Sequence, residues 1–252
     1  MTHALDMSGR TVVVTGASAG IGRDVAILLG ELGARVALVG RNLDRLNSVA
    51  SKMSGSRHLV EAFDLNQLEE IPAWMKKIAE KFGELHGVVH CAGVQQTMPL
   101  RAITVRPAED VMRVNVLAAL MLAKGLRQKG VRAADASLVL VASVMGLVGA
   151  PGCAVYCASK GAVISMTRAL ALELAAEKIR VNCVAPAFVK TEMLEELKSV
   201  AGADQMAAVE ARHPLGFGEP RDVSHSIAFL LSPASRWMTG STMTVDGGYT
   251  AQ

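Results

Sequence analysis

The chain has 252 residues, of which 51% are hydrophobic and 19% charged, enough apolar material for one large α/β core. A net charge of +3 without a lysine or arginine block leaves no footprint for nucleic acid as a partner. Residues 1–9 carry Asp6 and no apolar run, which is not a secretory signal, and the four cysteines read as reduced thiols, so the expected location is cytoplasmic.

In chain order, residues 10–15 are a short β-branched run and read as a buried strand. They lead into Gly16-Ala17-Ser18-Ala19-Gly20-Ile21-Gly22, after which Val25, Ala26, Leu28, Leu29 and Leu32 recur at helical spacing. A strand, a glycine-rich turn and a helix present backbone N–H groups and a positive helix end to a pyrophosphate. Gly16 suits the tight turn, Gly20 the close approach of a phosphate and Gly22 close helix–sheet contact. An ordinary glycine-rich loop is the bland alternative, and its place at the first strand-to-helix turn favours the nucleotide.

Further strands are expected at 35–39, 58–63, 87–91, 137–142, 179–184 and 242–245. Helices are expected between them, near 43–53, 67–82, 107–129, 155–177 and 221–231. Such alternation implies a single α/β domain spanning 1–252, a doubly wound parallel sheet of Rossmann type with helices on both faces. Ligands of such sheets collect beyond the carboxyl ends of the strands. The stretch 136–159 has no charged residue, but Gly146, Gly149, Pro151 and Gly152 interrupt it. It reads as strand, loop and helix start, not as a membrane span. Cys153 and Cys157 are one turn apart with no histidine beside them, so no metal site is expected.

Tyr156 and Lys160 stand one helical turn apart on one face. An ammonium there is expected to stabilise a tyrosinate and bring the phenol's pKa down toward working pH. A tuned phenol suits proton transfer to or from a carbonyl or alcohol oxygen.

With these residues in view, the chain resembles the short-chain dehydrogenase/reductase family over nearly its whole length. Thr15 to Gly22 match the family's T-G-x-x-x-G-I-G, and Tyr156 and Lys160 its Y-x-x-x-K. Ser143 stands thirteen residues before the tyrosine, Asn115 matches the asparagine of the long helix after the fourth strand, and Asp64-Leu65 match the acidic position after the third. The resemblance implies hydride transfer between a nicotinamide and a carbonyl or secondary alcohol carbon. Tyr156 would give its proton to the oxygen and Ser143 would hydrogen-bond it. Lys160 would tune the tyrosine and hold the nicotinamide ribose, and Asn115 would position a water behind the lysine. Gly16, Ser18, Ala19, Gly20, Ile21 and Gly22 would cradle the cofactor, Asp64 and Leu65 its adenine, and Ala92 and Gly93 its middle. Pro186, Val189 and Thr191 would face the nicotinamide. A nucleotide-sensing scaffold of the same fold is the non-enzyme alternative, but such relatives typically lose the tyrosine or the lysine.

An acidic side chain at the end of the second strand would bind the adenosine ribose and repel a 2′-phosphate. Gly40 stands there, followed by Arg41, whose guanidinium can pair with a phosphate, so NADP(H) is favoured over NAD(H). Against this, Ala19 stands where NADP-preferring relatives often place a second basic residue, and Arg41 can equally be a solvated helix-start residue. Two departures from the family pattern stand out. His90-Cys91-Ala92-Gly93 replaces N-N-A-G, which loses the strand-bracing asparagine at Cys91, and Pro186-Ala187 replaces P-G.

Residues 192–217 form an insert where the family carries a substrate lid. Met193, Leu194 and Leu197 would line an apolar pocket with Met145, Val148 and Phe188, or serve as plain packing. Gly202, Gly216 and Gly218 would permit lid motion. The C-terminal half is similar to the 3-oxoacyl-[acyl-carrier-protein] reductases, yet Leu172 stands where those enzymes carry an arginine for the carrier protein. Arg127 and Lys129 would supply part of that surface. The small-molecule partner is therefore a carbonyl or alcohol, either carrier-bound acyl or a free ketone, sugar or steroid. Residues 114–123 and 158–176 are apolar nearly all round, which asks for a homo-oligomer, tetramer or dimer.

Overall fold

A computed structural model describes residues 4–55, 57–200 and 202–251. The first three residues of the segment read as lacking a secretory signal lie outside the described residues, as does position 201 of the insert. Among the described residues seven strands form one parallel sheet: β1 (Thr11–Thr15), β2 (Arg35–Gly40), β3 (Leu59–Ala62), β4 (Leu85–His90), β5 (Arg132–Val141), β6 (Arg180–Pro186) and β7 (Thr242–Val245). Their order is β3-β2-β1-β4-β5-β6-β7, so the order reverses between β1 and β4. That is where a doubly wound sheet opens a crevice at its carboxyl edge.

The sheet is covered on both faces because its strands are apolar on both. Val12 and Val14 face one core with Val25 and Leu29 of α1 (Gly20–Glu31), Leu46 of α2 (Leu43–Ala50) and Ile227 of α9 (Pro220–Leu231). Val13 faces the other with Met75 of α3 (Ile71–Phe82), Leu122 and Val163. Successive strand side chains point to opposite faces, so this alternation follows from a continuous β-branched run buried on both sides. Each such side chain stabilises the fold by roughly 1.5–3 kcal/mol.

The helix expected at 107–129 is three pieces: α4 (Val105–Met112), a π-helical turn over Arg113–Leu117, and α5 (Ala118–Leu126). The extra residue of a π turn reorients the side chain it carries, and here it carries Asn115. Next comes α6 (Ala154–Leu174), and the insert forms two helices, α7 (Glu192–Val200) and α8 (Ala203–Ala211). Strand β5 begins at Arg132, five residues before the sequence signal, because Arg132 pairs with Leu85 across an irregularity in register. Val105, Leu117, Leu120 and Leu172 stand exposed on the outer faces of α4 to α6. Among the described residues no helix is long and apolar enough to cross a membrane.

Candidate active site

The glycine turn after β1 is dictated by crowding. Gly16 has φ +67°, and a Cβ on it would lie 2.8 Å from the Ala92 backbone nitrogen. A Cβ on Gly22 would lie 2.3 Å from the Gly16 carbonyl oxygen. No side chain fits either place, so the turn lies flat against the end of β4 and leaves a cleft open. That cleft, about 530 Å³, is lined by Gly16, Ser18, Ala19, Gly20, Ile21, Gly22, Arg41, Asp64, Leu65, Ala92, Gly93 and Thr191. Pro186 and Val189 line the neighbouring cavity instead. A turn without side chains at Gly16, Gly20 and Gly22, open to this cleft at the mouth of α1, fits a dinucleotide's phosphates.

Arg45 also lines the cleft, and the sequence reading missed it. It sits in the first turn of α2, where the Asn42 side chain accepts the Arg45 N–H at 2.9 Å as N-cap. Nothing in its local sequence marks it, because it is the docking of α2 at the end of β2 that brings it there. Asp64, expected to meet an adenine, accepts on Oδ1 hydrogen bonds from the Asn66 backbone N–H at 3.0 Å and from Asn66 Nδ2 at 3.1 Å.

A second cavity of about 140 Å³ adjoins the cleft and is lined by Ser143, Tyr156 and Lys160 with Pro186, Val189 and Thr191. Ser143 follows β5 in extended conformation, and its hydroxyl accepts the Met145 N–H at 3.2 Å and points to the Pro186 carbonyl at 3.4 Å. A Cβ on Gly146 would lie 2.7 Å from the Lys160 carbonyl carbon, so this loop packs directly on the first turns of α6 and sets the serine beside the tyrosine. Asn115 is fully buried behind them. Its Nδ2 donates to the Val94 carbonyl and to Ser159 Oγ, both at 3.0 Å, while Oδ1 accepts the Val94 N–H at 2.9 Å. All its polar side-chain atoms thus hold the loop after β4 against α6.

The expected lowering of the phenol does not appear. Burial pushes Tyr156 up to about 12, against a hydrogen bond with Ser143 that draws it down. Lys160 Nζ lies 5.6 Å from the tyrosine ring centre and donates to the Val141 carbonyl at 2.8 Å. Burial also brings the Lys160 ammonium down to about 8. Tyr156 is therefore held in its protonated form at neutral pH, desolvation outweighing the hydrogen bond with Ser143.

The bracing attributed to the missing asparagine is supplied by His90. Its Nε2 donates to the Val114 carbonyl at 3.2 Å, which makes Nδ1 an acceptor for the Thr15 hydroxyl at 2.9 Å. Thr15 Oγ1 in turn accepts the Ala92 N–H at 3.3 Å. Burial lowers this imidazole to about 4, so it stays neutral and keeps that tautomer. The Cys91 thiol beside it is pushed up to about 12 by burial, which keeps it protonated at neutral pH.

In the insert, Met193, Leu194 and Leu197 line the second cavity with Met145 and Phe188. Val148, expected with them, is exposed and does not line it. Leu172 is exposed on α6 as an apolar side chain.

Residues 16–250 match the family described as enoyl-(acyl carrier protein) reductase. The chain is 34% identical over 246 residues to the 3-oxoacyl-[acyl-carrier-protein] reductase FabG of Rickettsia conorii, covering 97% of this chain and 98% of the relative. A Sinorhizobium meliloti 1021 structure provisionally named a short-chain alcohol dehydrogenase superposes with a TM-score of 0.94 at 31% identity, covering 99% and 100% of the two chains. A Beutenbergia cavernae protein provisionally named an NAD(P)-dependent gluconate 5-dehydrogenase, with NADP bound at low occupancy, gives 0.91 at 30% identity over 99% and 100%.

Proposed function

The chain belongs to the short-chain dehydrogenase/reductase family, and on that premise we propose that it transfers a hydride between NADP(H) and an apolar carbonyl or secondary alcohol. The observation that carries this reading is the shared wall between the two cavities. Ile21, Cys91, Gly93 and Thr191 line both, so a ring held at the inner end of the nucleotide cleft lies against the space that Ser143 and Tyr156 face. When bound, the nicotinamide supplies or accepts the hydride. The protein's own part is proton transfer and charge. Tyr156 gives its phenolic proton to the carbonyl oxygen in reduction, Ser143 hydrogen-bonds that oxygen as negative charge develops, and Lys160, cationic below about pH 8, offsets the phenolate left behind. Asn115 is a positioning residue, holding the loop after β4 and Ser159 of α6 together.

Preference for NADP(H) is supported by two arginines, Arg41 and Arg45, at the end of the cleft where Gly40 leaves no carboxylate. An apolar substrate is favoured by Met145, Phe188, Leu194 and Leu197, which leave Gln95 as the polar side chain in that cavity besides Ser143, Tyr156, Lys160 and Thr191. This speaks against a sugar. A carrier-bound 3-oxoacyl substrate is the second reading, favoured by the name of the Rickettsia relative and opposed by exposed Leu172. NADPH oxidation against a panel of free ketones and carrier-bound 3-oxoacyl thioesters tests both. In the same assay Tyr156→Phe lowers kcat about 10³-fold and leaves the NADPH dissociation constant within about twofold. Undiminished turnover in that variant would refute the assignment.

A further inference from the structure

Helix α1 begins without the partners such a helix end calls for. Its N-cap is Ala19, which offers no side-chain hydrogen bond, and its first turn contains no acidic residue. The anion it receives comes from far along the chain. Glu192, first residue of α7, accepts the Gly20 N–H on Oε2 at 3.1 Å and Arg23 Nη1 on Oε1 at 2.7 Å. Burial works to raise the Glu192 pKa, but its own backbone amide, Arg23 and the Gly20 N–H together hold it below the usual carboxylate range. The group is thus an anion at neutral pH, seated on the helix end that the dinucleotide reading assigns to the pyrophosphate.

Helix α7 is also the wall between the two cavities. Glu192, Met193 and Glu196 line the nucleotide cleft, while Met193, Leu194 and Leu197 line the substrate cavity. Where the Glu192 carboxylate sits therefore governs the shape of both. A pyrophosphate and a carboxylate cannot share the same N–H groups without strong repulsion.

We propose that Glu192 is an internal stand-in for the cofactor's pyrophosphate, latching α7 to α1 until the dinucleotide expels it and frees α7 to re-seat around the substrate. The inference rests on the dinucleotide reading of the cleft. It makes binding ordered, cofactor first, and makes part of the cofactor's binding energy the cost of opening the latch. Glu192→Gln keeps the shape of the side chain and removes its charge, so the ion pair with Arg23 is lost and its hold on the Gly20 N–H weakens.

The test is NADP(H) affinity by titration of intrinsic or nicotinamide fluorescence, with no substrate present, for the wild type, E192Q and E196Q. E192Q is expected to bind about tenfold tighter than the wild type, and E196Q, which removes a charge from the same cleft without a bond to α1, to change affinity less. Limited trypsin cleavage at Lys198 of α7 gives a second readout. NADP+ accelerates it in the wild type, and E192Q shows the accelerated rate without NADP+. Affinity in E192Q that is unchanged, weaker or matched by E196Q overturns the latch, as does cleavage of E192Q at the unliganded wild-type rate. Failure of the wild type to bind either NADP(H) or NAD(H) overturns the cofactor reading itself, and the latch with it.

Discussion

Replacing Gly40 with aspartate puts the cofactor assignment under direct strain. Gly40 ends β2 in the nucleotide cleft, and a Cβ built on it would meet Leu46 Cδ2 at 3.4 Å and Ser18 Oγ at 3.5 Å, ordinary contacts that a folded chain tolerates. The new carboxylate would face the place where Arg41 and Arg45 are proposed to hold a 2′-phosphate. At about 6 Å and an effective dielectric of about 60, a carboxylate and a phosphate of nearly two charges repel by about 1.5 kcal/mol, roughly a 15-fold loss for NADPH. With NADH the same carboxylate accepts a hydrogen bond from the ribose 2′-hydroxyl, a gain of about 1 kcal/mol or roughly fivefold. The ratio of kcat/KM values for NADPH and NADH should therefore swing by about 50–100-fold toward NADH. Half a molar salt should shrink the NADPH penalty, because the repulsion is screened while the hydrogen bond is not. A swing below about fivefold, or a wild type that already prefers NADH, would refute the reasoning about the end of β2.

Two further predictions concern pH. With Tyr156 pushed up to about 12 and Lys160 down to about 8, kcat/KM for reduction should fall as pH rises through about 8, because the ammonium is lost while the phenol keeps its proton. A wild-type profile flat to about pH 10 would show that the Lys160 charge is not needed. Burial holds His90 at about 4, below its ordinary 6.5, so the unfolded chain takes up a proton here that the native state refuses. The stability this provides is complete above pH 6.5 and is lost as pH falls toward 4, about 3 kcal/mol in all. Urea unfolding of the wild type and His90→Asn between pH 4.5 and 7 should show a shallower slope in the variant, and equal slopes would exclude the histidine as the source.

Much of the architecture is legible locally. The runs at 35–39 and 137–142 read as strands; the first lies inside β2 and the second overlaps β5 up to Val141, because doubly buried strands need little beyond consecutive apolar residues. Boundaries shifted where tertiary pairing extends an element, as at Arg132 opposite Leu85. The π turn at Asn115 escaped notice because a single residue accommodated inside a helix leaves its apolar period nearly intact. Gly16 to Gly22 were recognisable by their spacing between a strand and a helix, although the crowding they answer comes largely from Ala92 and Thr191, far along the chain. Arg45 was overlooked, since only the docking of α2 at the end of β2 brings it to the cleft.

What the sequence by itself determined was whatever depends on neighbours along the chain: the strand–glycine turn–helix unit, the one-turn spacing of Tyr156 and Lys160, and the alternation that makes a parallel sheet. What only the tertiary structure decided was the environment of those groups. The direction of the Tyr156 shift, the neutral His90 tautomer and the seat of Glu192 on a helix end 172 residues earlier depend on desolvation and on charges brought close by packing. Such forces act through space, and the spacing of residues along a chain carries no record of them.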